Sequence, residues 1–189
     1  MILRSLSALL ATTAFVTATP VLAQSIDGSA AIQTTFRGAV AAGCRVSTAT
    51  TTTASNASVS ALSPGSADIA ISQLVDDDGT VVGSTVVLSL PAVCNQAHTL
   101  NLESLRGGLQ GNGPPLAGGP FRTLVPYTVT VDWAGGSQLF ATGDESLSLS
   151  IGDAATGPVT VTIQIPAGGA PLASGTYSDE LVLELGAAG

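Results

Sequence analysis

Gly175-Thr176-Tyr177-Ser178-Asp179-Glu180-Leu181-Val182-Leu183-Glu184-Leu185 is the stretch on which the fold class turns. Gly, Ser and Asp supply a turn, and the residues after them alternate. Leu181, Leu183 and Leu185 fall on one face. Glu180 and Glu184 fall on the other, with Val182 between them. A period of two with one apolar face predicts a half-buried strand.

The same period recurs upstream. Val159, Val161, Ile163 and Ile165 alternate with Thr160, Thr162 and Gln164, and Leu147, Leu149 and Ile151 alternate with serines. Tyr127, Val129 and Val131 share a face in a strand expected to begin at Phe121, and Leu100 and Leu102 share one with Asn101 and Glu103 opposite. Val86–Cys94 is the most apolar stretch, broken at Pro91. Ala67–Leu74 reads as a strand, and Asp76-Asp77-Asp78-Gly79 marks a turn into the next. A calcium loop would need acids at fixed spacing and a distant Glu, which this stretch lacks. Residues 107–120 and 166–174 are Gly/Pro-rich loops, and Thr48–Ser58 reads as a loop or weak edge. Apolar residues at helical spacing are missing after the first segment. Many short strands between Gly/Pro turns predict an all-β sandwich. A membrane barrel would carry aromatic girdles, for which four Phe, two Tyr and one Trp are too few. Only Gly186-Ala187-Ala188-Gly189 follows the last strand. The expectation is therefore an incomplete sandwich that receives a strand from another molecule.

Residues 1–23 read as a secretory signal. Arg4 precedes the apolar or small run Ala8–Ala18, and Pro20-Val21-Leu22-Ala23 offers small residues before a cut after Ala23. The run is too short and too rich in Ala and Thr to span a bilayer comfortably. What remains suits one domain. The five basic residues are all Arg, against 13 acids, for a net charge of −8. So few cations form no basic face for nucleic acid, and the acidity serves solubility. Cys44 and Cys94 are the two cysteines of an exported chain, for which one disulfide is the simplest expectation.

Residues 24–42 form a segment of their own. Ala30, Ile32, Thr34, Phe36, Gly38, Val40 and Ala42 share parity, with Gln33, Thr35 and Arg37 opposite. The pattern predicts an extended segment with Ile32, Phe36 and Val40 on one side. It is either the first strand of its own domain or a strand offered to another.

Catalytic constellations are missing. There is no nucleophile elbow and no phosphate loop. His98, the single histidine, is expected on a loop exit, and with two cysteines it shows no metal-ligand spacing. Trp133 beside Asp132 could stack on a sugar, although a core or rim position is the simpler reading. The chain is expected to be no enzyme and to hold no cofactor or metal.

Taken in order, these features resemble the spore coat protein U domain family, secreted pilins of archaic (Csu-type) chaperone–usher pili. The matching residues are the alternating segment ending in Gly43-Cys44-Arg45-Val46 and the strand ending in Cys94. Arg122-Thr123-Leu124, Tyr127-Thr128-Val129 and Asp132-Trp133 follow, then Val159–Pro166 and Gly175–Asp179 with its apolar strand. Leu62-Ser63-Pro64-Gly65 stands where many relatives carry a Phe-Gly-type pair, and the stretch after Gly135 departs too. The resemblance implies an incomplete immunoglobulin-like sandwich over residues 43–189. Residues 24–42 would be a donor strand for a neighbouring subunit, and Leu181, Leu183 and Leu185 would lie in the acceptor groove. It also implies a periplasmic chaperone, an outer-membrane usher, related pilin subunits as partners, and a cell-surface fibre supporting adhesion or biofilm formation. The alternative is a self-contained secreted sandwich that binds a ligand such as a polysaccharide.

Overall fold

The computed structural model describes residues 35, 37–63, 66–113, 119–144 and 146–187. The chain divides at Val40 into a first unit and a compact body. Of the first unit, the described residues 35 and 37–39 are exposed and without regular structure. The call for a donor strand at Ala30, Ile32, Thr34 and Phe36 lies outside the described residues, as does the secretory segment.

Every regular element among the described residues is a strand. In chain order they are β1 (Cys44–Val46), β2 (Thr50–Ser55), β3 (Ala57–Ser63), β4 (Ser66–Ile71), β5 (Ser84–Cys94), β6 (His98–Ser104) and β7 (Leu109–Gly111). There follow β8 (Leu124–Val125), β9 (Thr128–Trp133), β10 (Gly136–Ala141), β11 (Leu147–Ile151), β12 (Ala155–Ile165), β13 (Tyr177–Ser178) and β14 (Leu181–Ala187). The main sheet runs β1-β5-β12-β9-β10, with β2 also on β5. A second sheet runs β11-β6-β14. A small sheet, β13-β7-β8, and a separate hairpin, β3-β4, complete the body. The named pairings are antiparallel, and one core draws on both main sheets, as a β-sandwich requires.

The alternation read from the sequence is what fills that core. Val86 and Leu88 of β5, Val159 and Val161 of β12, and Val129 and Val131 of β9 meet Leu100 and Leu102 of β6. Pro91 does not break β5. It faces Pro158 of β12 in register, so both missing N–H groups fall on one rung of the ladder. The β9–β10 hairpin closes through Ala134 and Gly135, both at positive φ (50° and 81°), with Trp133 facing Gly136. Such a two-residue turn matches the twist of its strands.

Of three further local expectations, two hold with added detail and one changes. Thr48–Ser58 is an edge strand and the start of a hairpin: the hydroxyls of Thr50 and Thr52 donate to the Ser89 and Val87 carbonyls of β5. Asn56, between β2 and β3 at φ 56°, donates to the Gln73 carbonyl (2.7 Å) and Ser84 Oγ (2.9 Å), which pins the hairpin base. The strand expected from Phe121 is split: Leu124–Val125 forms β8 of the small sheet, β9 of the main sheet begins at Thr128, and Phe121 is exposed. Asp76 holds its turn through its own carboxylate, which accepts from the Asp78 and Thr80 amides and from Thr80 Oγ1 (2.7 Å). The Thr80 bonds lower its pKa below the ordinary carboxylate value.

Candidate functional site: an open groove beside the last strand

β14 pairs with β6 along its whole length, from Leu181 opposite Ser104 to Ala187 opposite His98. Among the described residues no strand pairs with its other edge. Half of the N–H and C=O groups of an edge strand point away from the sheet, ready for another strand.

A cavity of about 570 Å³ opens along this edge between the two main sheets. Leu181 and Leu183 of β14 and Leu102 of β6 form one wall, and Leu88, Val161 and Ile163 of the main sheet form the other. Ile69 and Ile71 of the β3–β4 hairpin flank it. The lining is largely apolar, yet Asp68, Asp179 and Glu180 stand on it and no Lys or Arg does.

The mouth is built around Asp179. Tyr127 OH (2.7 Å) and Ser104 Oγ (2.6 Å) donate to its Oδ2, and the Arg106 amide (3.0 Å) donates to Oδ1. Ser104 Oγ in turn accepts the Gly108 amide (3.1 Å). Burial first, then the hydrogen bond to Asp179, pushes the Tyr127 phenol far above its ordinary value. Tyr127 is therefore a fixed donor that ties β14 to the main sheet. The sequence quotes both Tyr127 and the Tyr177-Ser178-Asp179 run, but nothing in the period of either segment shows that they meet.

The other singled-out residues are placed as follows. Cys44 and Cys94 are register partners on β1 and β5 and form a disulfide, with an S–S distance of 2.06 Å. Leu181 and Leu183 line the cavity. Leu185 packs on the core beyond it. Of the proposed donor residues, Gly38 and Val40 are described: both are exposed, outside any strand, and Val40 is 89% exposed. His98 is not on a loop exit. It is the fully buried first residue of β6, where its Nε2 accepts from Trp133 Nε1 (2.7 Å) and its Nδ1 faces the Gln96 carbonyl (2.9 Å). His98 also lies beside the two sulfurs. With the sulfurs joined and both ring nitrogens engaged, this trio has no free ligand for a metal. Trp133 is buried, so it offers no surface on which a sugar could stack.

Comparison of the chain with protein-family models, with curated proteins and with solved structures finds no match in any of the three.

Proposed function

We propose that this chain is a structural subunit of a secreted surface fibre, completed by a strand from a neighbouring subunit through a chaperone–usher type of assembly. The observation that carries the reading is the open apolar groove beside the unpaired edge of β14. A strand laid there satisfies the free backbone groups and covers the apolar lining in one step. Residues 24–42 have the required form, with Ile32, Phe36 and Val40 at alternate same-face positions and small residues between. Burying one such side chain contributes about 1.5–3 kcal/mol, so three of them dominate the pairing beside its backbone ladder. The role is a shaft or adaptor position, exported through the periplasm, without catalysis.

The self-contained, polysaccharide-binding alternative has less support. Its one candidate stacking residue, Trp133, is held inside by His98. The groove itself is largely apolar, and Asp179 on its lining is already engaged by Tyr127 and Ser104.

Gel electrophoresis in SDS with and without boiling tests the proposal. The expected result is a ladder of oligomers that survives SDS and collapses on heating. Phe36→Asp should abolish the growth of that ladder through the mutant, because it places an unpaired charge in an apolar pocket. Gln33→Asp, on the opposite face, should be tolerated better. Monomer alone in unheated wild-type samples would overturn the reading.

A further inference from the structure

We infer that Arg37 of one copy pairs with Glu180 and Glu184 of the next, and that this pairing steers the docking of the donor strand. The pairing presupposes the donor-strand reading above and names the occupant of the groove as a second copy of this chain.

The exposed rim of the β14 edge is acidic. Glu180 and Glu184 are both exposed, with Val182 between them, and Glu103 is the register partner of Val182 on β6. Among the described residues none of the three carboxylates has a cation partner. Residues 24–42 contain a single cation, Arg37, which is exposed and likewise without a partner among the described residues.

Seating Phe36 in the groove brings these charges together. The cavity reaches Leu181 and Leu183 but not Leu185, so the largest donor side chain belongs opposite one of the first two. Successive residues of a strand point to opposite faces, so Arg37 then lies on the outer face. With Phe36 opposite Leu183, Arg37 stands opposite Val182 in an antiparallel pairing and opposite Glu184 in a parallel one. With Phe36 opposite Leu181, it stands opposite Glu180 or Val182. Each arrangement places the guanidinium directly opposite a glutamate or diagonal to both, within reach of a long side chain.

The charge supplies what the apolar pockets lack. Ile32, Phe36 and Val40 could each enter the cavity at Leu181–Leu183. Seating Val40 opposite Leu181 in an antiparallel pairing, or opposite Leu183 in a parallel one, also sets Arg37 opposite a glutamate, whereas seating Ile32 there does not. The ion pair therefore favours alignments with Phe36 or Val40 in the pocket over those with Ile32, and a donor segment without that cation is disfavoured.

The test uses the full chain from Gln24 as acceptor and labelled synthetic peptides of residues 24–42 as probes, read as SDS-resistant, heat-labile adducts over time. At low salt the wild-type peptide should form adduct about three- to tenfold faster than an Arg37→Glu peptide. About 1 M salt should erase most of that difference. On an acceptor carrying Glu180→Arg and Glu184→Arg, both at exposed positions, the preference should invert. Equal rates for the two peptides at low salt, or no inversion on the reversed acceptor, would overturn the charge pairing while leaving strand donation intact. Failure of every peptide to form adduct with a folded acceptor would overturn strand donation, and the charge pairing with it.

Discussion

Strands β12 and β14 have the same kind of sequence and opposite circumstances. Both alternate apolar with polar residues, and both aim the apolar set at the shared core. β12 has a neighbour on each side, and Val159 and Val161 are almost wholly buried at 0% and 4% exposure. Among the described residues β14 is paired with one strand, and Leu181, Leu183 and Leu185 remain half-buried. The comparison teaches that alternation specifies which face is apolar and says nothing about whether the space over that face is filled. Exposure of an apolar set on a strand with a free edge marks where the molecule has room for a partner.

Substitutions sharpen the contrast, and the largest effect is expected at β12. Val161→Asp buries an unpaired charge between two sheets and should cost more than about 5 kcal/mol, enough to abolish the folded protein. Leu183→Asp should cost only about 1–3 kcal/mol, because Leu183 is only partly buried and faces the open groove. Circular dichroism and thermal melting of the two variants check this, and equal losses would remove the distinction between the strands.

The disulfide comes next. It staples β1, on the main-sheet side of the groove, to β5 across a sequence separation of 50. Cys44→Ser should cost roughly 4 kcal/mol by the chain-entropy account. Urea unfolding of the variant against the oxidised parent measures it.

A smaller effect is expected at the link between the two strands' sheets. Tyr127→Phe removes one of three donors to Asp179 and should cost about 1–2 kcal/mol at neutral pH. The pH dependence has a definite sign. The phenol is raised in the folded state, chiefly by burial, so its contribution is fully present below about pH 10 and is lost as pH rises above that value. Stability of the parent should therefore fall in alkali, and Tyr127→Phe should fall less steeply. The residual slope comes partly from Tyr177, whose phenol burial also raises. Melting curves from pH 8 to pH 11 test this.

Most strands were legible in the sequence because their alternation is a local signal. The all-β class and the strands around Val159–Ile165 and Leu181–Leu185 follow from residue type and spacing, and the Cys44–Cys94 bridge from there being just two cysteines to pair. Other features depend on partners distant in the chain. β2 consists of threonines, serine and alanine with no apolar period, and it is a strand because β5 offers it an edge. Pro91 looks like a strand breaker until Pro158 is placed opposite it. His98 looks like a surface residue because its neighbours in sequence are polar. Its burial depends on the indole N–H of Trp133, 35 residues away. The groove was legible only in its leucines, since Ile69 and Ile71, Tyr127, and Asp179 reach it from three separate segments.

The most direct test of the central claim is hydrogen exchange at β14, comparing a monomeric acceptor with the same chain after addition of the peptide of residues 24–42. In the monomer, the β14 amides that point toward β6 should be protected, and those on the free edge should exchange rapidly. Strand addition predicts that the free-edge amides between Leu181 and Leu185 become as protected as their neighbours, with no comparable change along β12. Free-edge amides already protected in the monomer, or left unprotected in the adduct, would contradict the account.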